Sequence, residues 1–159
     1  MRGNADLNLD RMEVDLRPGA AGDREFLWRL HCETMREYVA ATWGWDETFQ
    51  RDRFNVHFDP LSLLIIEKGG EPIGTISVRR PGDEIFLAAI EITPAQQNQG
   101  IAALLINDLL CESDQSHLPV KLQVLKVNPA RGLYERLGFV CTCETATHYL
   151  MRRDPGFAG

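Results

Sequence analysis

The order of hydrophobic and polar residues along this chain switches between helical and strand periods. Residues 13–17 (EVDLR) alternate briefly and stop at Pro18-Gly19, which predicts a short first strand. Asp23 or a neighbour then caps a long helix in which Leu27, Leu30, His31 and Thr34 fall at helical spacing, continued by Tyr38 and Val39. The run Thr42-Trp43-Gly44-Trp45-Asp46 breaks that helix. Asp46 or Thr48 can cap a second one, which carries Phe49, Phe54 and Phe58 and ends at Pro60.

After Pro60 the period becomes that of strands. Residues 61–67, 72–79 and 84–92 are separated by Gly-Gly and Pro-Gly turns and predict a meander of adjacent hairpins. A helix over about 99–114 shows Ala102, Leu105, Ile106 and Leu109 on one face. A strand at 119–127, a short helix near 130–137 stopped by Gly138, and a closing strand pair within 139–152 complete the chain. Within 120–127 the apolar phase shifts between Val124 and Leu125, which implies a bulge or a change of buried face. The order β-α-α-β-β-β-α-β-α-β-β belongs to the α/β (α+β) class, with a mixed sheet and helices on both faces.

Composition narrows the function classes. At 159 residues the chain suits one domain, here 12–159 after a polar leader at 1–11, with Met12 as an alternative start. No apolar run is long enough to span a bilayer, and the leader lacks the apolar core of a secretory signal, so a cytoplasmic protein is expected. The net charge of −6 argues against nucleic acid as partner, since phosphate binding needs clustered Lys and Arg. Four cysteines are too few and too irregular for a disulfide framework. Cys141-x-Cys143 puts both thiols on one face of a strand as half a metal site, but no second pair completes it, and no metal is expected.

The stretch that carries chemistry runs from Ile90 to Ala102, where a buried strand ends, a turn follows, and a helix begins with Gln97-x-x-Gly100-x-Ala102. Amides at a helix start have no intrahelical partner, and the helix dipole favours negative charge there. Small residues at 100 and 102 let a bulky anion sit against the backbone, so a pyrophosphate can be held without any lysine. Taken alone, the pattern also fits a plain strand-to-helix turn with Gly for close packing.

The C-terminal third adds a second pattern. Residues 127–139 (VNPARGLYERLGF) resemble the A-x-x-L-Y-E-x-x-G-F signature of the GNAT superfamily of acyl-CoA-dependent N-acetyltransferases. Gln97-x-x-Gly100-x-Ala102 is similar to that superfamily's Q/R-x-x-G-x-G/A coenzyme loop, and the two stand in the right order, one helix and one strand apart. The resemblance covers about residues 13–152. It implies the GNAT fold: a mixed, mostly antiparallel sheet of about seven strands, splayed between the fourth and fifth. It implies acetyl-CoA as cosubstrate, with the backbone of Ile90 and Ile92 holding the pantetheine arm as an added strand. The loop residues Gln97, Gln99, Gly100, Ile101 and Ala102 would serve the pyrophosphate, Asn128 the pantetheine, and Tyr134 the thioester sulfur. Asn128 precedes Tyr134 by six residues rather than the family's usual seven, so it is equally a residue that shapes the turn before Pro129.

Acetyl transfer to an amine needs a deprotonated nucleophile, a polarised carbonyl and a leaving thiolate. Tyr134 is the candidate acid; its alternative is a core aromatic under the last helix. The strand at 119–127 lacks the Glu that some relatives carry there, and Glu91 is the candidate base, with Glu33, Glu37 and His57 as helix residues near the acceptor side. Tyr38, Trp43, Trp45 and Asp46 form either an aromatic, anionic pocket for a cationic amine or a hydrophobic plug between two helices. Three functions fit: an enzyme acetylating a small-molecule primary amine, one acetylating a protein lysine or N-terminus, and a non-catalytic acyl-CoA-binding module. The expected partners are acetyl-CoA and the amine, in a monomer or homodimer.

Overall fold

A computed structural model describes residues 12–156 of the chain. The leader 1–11 lies outside the described residues. The helices and strands follow the order that periodicity predicts, with altered edges: β1 (Val14–Pro18), α1 (Arg24–Trp43), α2 (Glu47–His57), β2 (Leu64–Lys68), β3 (Glu71–Arg79), β4 (Ile85–Ile92), α3 (Ile101–Ser116), β5 (Val120–Leu125), α4 (Ala130–Arg136), β6 (Val140–Glu144) and β7 (His148–Arg153). Asp46 is the cap of α2, its side chain accepting from the Phe49 amide at 2.9 Å.

Two expected strand ends are corrected. Residues 61–63 are not strand: Pro60–Ser62 form a 3-10 turn opened by Asp59, whose carboxylate accepts from the Leu61 amide. A capped turn beginning at proline outweighs the strand propensity of the leucines. At the other edge, β5 stops at Leu125 and pairs with β7 residue for residue, so no bulge causes the shift of phase. Leu125 is buried, and Val127 lies exposed in the turn beyond the strand.

Among the described residues, seven strands form one sheet in the order β1-β2-β3-β4-β5-β7-β6, antiparallel everywhere except at β4–β5. On one face, Leu27 and Leu30 of α1 pack with Ile65 of β2, joined by Phe54 and Phe58. On the other, Ile101, Leu105, Ile106 and Leu109 of α3 cover Ile66, Ile76, Leu87 and Leu122, and Tyr134 and Phe139 extend the same core. Helices thus lie on both faces.

The feature that shapes the centre is a bulge in β4. Ser77 pairs with Ala89 and Val78 with Leu87, so Ala88 has no partner on β3. An extra residue reverses the facing of every side chain after it. Ile85 and Leu87 before the bulge, and Ile90 and Ile92 after it, all join the α3-side core. Glu91 is thereby turned to the α1 side. A second bulge separates Cys141 from Cys143: Cys141 pairs with Met151 and Cys143 with Leu150, neighbours that face opposite ways. The two thiols are therefore not on one face.

Candidate active site

β4 and β5 run side by side only from Ile85–Leu87 against Val120–Leu122. Beyond Leu87 they diverge and open a cleft of about 1110 Å³. Its walls include His31 and Trp43 of α1, Ala88 to Glu91 of β4, Leu122 to Leu125 of β5, and Tyr134 of α4.

The β4 edge facing this cleft has free backbone groups. In an antiparallel pair, residues alternate between bonding the partner strand and pointing away from it. The Thr93 amide donates to Ile73 O at 2.7 Å, so the odd residues of this stretch bond β3, and Ile90 and Ile92 turn their N–H and C=O toward the missing neighbour. One of these groups is taken: the Ile92 carbonyl accepts from Gln97 Nε2 at 2.9 Å. Gln97 thus braces the turn with its side chain. Gly74 lets β3 approach here, since a Cβ on it would stand 2.3 Å from Glu91 O.

The turn after β4 presents amides to solvent. Asn98 (φ 63°) and Gly100 (φ 83°) adopt left-handed conformations that coil the backbone before α3. Gln97 N–H bonds Pro94 O, and the next amide to find a backbone acceptor among the described residues is that of Leu104, on Gly100 O at 3.1 Å. The amides of Gln99, Gly100, Ile101 and Ala102 lie between, on the N-terminal side of the α3 dipole. The position a Cβ on Gly100 would take has nothing within 4 Å, leaving open space over these amides. Lys68 of β2 reaches the same turn and donates to Gln99 Oε1 at 3.0 Å and Gln96 Oε1 at 3.3 Å. A cation therefore stands beside the amides of the turn, in addition to the helix dipole that the sequence reading invokes. Nothing local to the loop motif signals Lys68, which comes from a strand some 30 residues earlier.

Tyr134 is buried to 8% exposure, its ring edge-on to Phe139 at 5.9 Å, and it lines the cleft. Burial pushes its phenol above the usual tyrosine range, so it remains protonated and can donate. Asn128 also lines the cleft, and its side-chain oxygen accepts from the Ala130 amide at 2.9 Å. It therefore shapes the turn into α4, with its amide NH₂ left to donate.

The four proposed acceptor residues do not form one cage. Trp45 stacks on Trp28 (centroids 6.1 Å, 27°), with Arg36 over its ring at 5.5 Å and its Nε1 donating to Glu47 at 2.7 Å. Trp43 points elsewhere, meeting the His148 ring of β7 at 6.0 Å across the cleft. Both tryptophans and Asp46 line the cleft, whereas Tyr38 is not among its lining residues. Glu33, Glu37 and His57 are exposed and do not line it either. Glu91 lines it, its side chain 18% exposed, with Oε1 3.9 Å from His31 Nδ1. His31 stands on the helical stripe of the sequence with no role expected of it; a lone imidazole among leucines is its signal there. Among the described residues no three of His, Cys, Asp and Glu are grouped to hold a metal ion, and no helix is long and apolar enough to cross a membrane.

The sequence matches the acetyltransferase (GNAT) family over residues 24–139. No curated protein matches it. The fold is similar to that of PaiA N-acetyltransferase from Thermoplasma acidophilum, solved in complex with coenzyme A, at a TM-score of 0.72 and 16% identity, covering 90% of this chain and 99% of that one. It is similar to a histone acetyltransferase HPA2-related protein from Corynebacterium glutamicum (TM-score 0.68, 15% identity, 92% and 98% covered). It also resembles the ribosomal-protein-S18-alanine N-acetyltransferase of Escherichia coli (0.64, 18%, 92% and 96%).

Proposed function

This chain belongs to the acetyltransferase (GNAT) family, and from that premise we propose that it moves an acetyl group from acetyl-CoA to the primary amine of a small molecule. The observation that carries the reading is the pairing of a free β4 edge at Ile90 and Ile92 with an amide-lined turn directly after it.

Acetyl-CoA supplies the acetyl group as a thioester. The amides of Gln99, Gly100, Ile101 and Ala102, with the Lys68 ammonium, hold the pyrophosphate. Ile90 and the Ile92 N–H extend the sheet by one strand along the pantetheine, and the Asn128 amide adds a donor. The Ile90 N–H, nearer the opening of the sheet, serves to polarise the thioester carbonyl, while the Ile90 C=O serves the pantetheine.

The acceptor enters as an ammonium and loses one proton to a basic group of the cleft, where Glu91 stands. Its nitrogen forms the C–N bond as the C–S bond breaks. Tyr134 protonates the departing sulfur, and the nitrogen's remaining excess proton restores the phenol, so one proton is released per turnover. The Trp43–His148 contact across the cleft supports a small acceptor over a protein segment, which would need an open channel.

Titration calorimetry with acetyl-CoA is the first test, beside Gly100→Asp as control. Saturable micromolar binding that the carboxylate abolishes is the expected result. Thiol release with benzylamine, 1,4-diaminobutane and an alanine-initiated tripeptide then separates small amines from peptide termini. A folded wild type that binds no acetyl-CoA removes the reading.

A further inference from the structure

Resting on that acetyl-transfer reading, we propose that His31 is the group that takes the proton from the incoming ammonium, with Glu91 holding the resulting imidazolium.

Two side chains from opposite walls of the cleft meet here. His31 comes from the apolar stripe of α1, and Glu91 from β4 just past the bulge at Ala88. Nδ1 of the imidazole lies 3.9 Å from Glu91 Oε1, and both residues line the cleft. The ring packs beside both Trp28 (6.1 Å, 34°) and Trp45 (6.0 Å, 34°), which stack on each other, so its orientation is set by packing. With Nδ1 toward the carboxylate, the tautomer protonated there is favoured, which leaves the Nε2 lone pair as acceptor.

The chemistry favours imidazole over carboxylate as the receiving base. A carboxylate ordinarily titrates near pH 4.3 and an imidazole near 6.5, and proton transfer from an ammonium is less uphill to the stronger base. The proton passes from the acceptor nitrogen to Nε2; the C–N bond then forms as the C–S bond breaks, with the sulfur protonated by Tyr134 and the phenolate restored by the nitrogen's second proton. His31 finally releases its proton to solvent.

The other charged groups around the ring are engaged with its neighbours. Arg36 covers Trp45, Glu47 accepts from the Trp45 indole, and Arg51 lies 5.0 Å over Trp28 while paired with Glu25. Asp46, from the loop before α2, uses Oδ1 as a helix cap. Among the described residues Glu91 is thus the acid in ion-pair range of the imidazole, in a cleft that Arg53 of α2, Arg79 of β3 and His148 of β7 also line.

The test compares wild type, His31→Gln and Glu91→Gln with the fastest of the three amines above, following kcat and KM from pH 6 to 9.5. Acetyl-CoA affinity is measured by calorimetry, and the His31 ring resonances by NMR. His31→Gln is expected to lower kcat about 100-fold, in the range of general-base contributions, with acetyl-CoA affinity within twofold and the acid limb lost. Glu91→Gln is expected to keep that limb, to lower kcat about 10-fold and to displace the His31 ring resonances in NMR. A His31→Gln enzyme with wild-type kcat and an intact acid limb overturns the proposal, as do His31 ring resonances indifferent to Glu91→Gln. Failure of the wild type to bind acetyl-CoA defeats the acetyl-transfer reading instead; the NMR resonances then decide the pairing alone.

Discussion

Leu87 of β4 and Leu122 of β5 are the last partners of the parallel ladder, and the next residue, Ala88, is the one without a partner on β3. The bulge and the opening of the sheet therefore coincide. A bulge bends its strand and raises the local twist, which carries the C-terminal half of β4 away from β5.

Deleting Ala88 removes the extra residue and leaves the pairs Ser77–Ala89, Ile76–Ile90 and Thr75–Glu91 in place, so Glu91 keeps its α1 side while the bend that opens the sheet is lost. Acetyl-CoA binding is expected to weaken at least about 10-fold by calorimetry, with cooperative urea unfolding retained. Wild-type affinity would show that the opening does not depend on the bulge.

Lys68 reaches the α3 turn through two glutamine carbonyls, and no ion pair engages it among the described residues. Lys68→Met is expected to weaken acetyl-CoA binding about 5- to 20-fold, the loss of one charge-assisted contact, and to flatten its salt dependence. Unfolding free energy should stay within about 0.5 kcal/mol, as for most surface substitutions. Calorimetry at two salt concentrations reads both effects, and equal affinities would limit Lys68 to shaping the turn.

Tyr134→Phe should lower kcat roughly 10- to 1000-fold while leaving acetyl-CoA affinity unchanged, consistent with loss of a general acid. Burial raises the phenol's pKa in the folded state. The unfolded chain then ionises first, near pH 10, and binds fewer protons than the folded one. Stability from this group is thus complete below about pH 10 and is lost as pH rises through the folded pKa. Melting curves across the alkaline range should fall more steeply for wild type than for the Phe variant.

Asp46 has two separable roles. Asn caps a helix about as well as Asp, whereas Ala forfeits about 1 kcal/mol. Asp46→Asn is therefore expected to melt like wild type, and Asp46→Ala earlier. If the carboxylate draws the acceptor, both should raise the amine KM several-fold with acetyl-CoA affinity intact. A KM that follows only the Ala variant would assign Asp46 to capping.

The sequence by itself determined what depends on neighbours along the chain. Period 3.6 in 24–43 and period 2 in 72–79, the stop at Gly138, the Asp46 cap and the Gly100 turn are set by local backbone and side-chain chemistry, and all are visible in order. The two motifs that resemble the GNAT superfamily are local in the same sense. What only the tertiary structure decided is which distant residues meet. The unpaired Ala88 exists only against the register of β3. Lys68 meets Gln99 across 31 positions, and His31 meets Glu91 across the cleft between α1 and β4. The aromatic run at 43–45, adjacent in sequence, divides in space because a helix end sends Trp43 to His148 and Trp45 to Trp28. Side-chain period is a property of one strand or helix, whereas register and partner belong to pairs of them, and a single extra residue in one strand reverses what every later side chain faces.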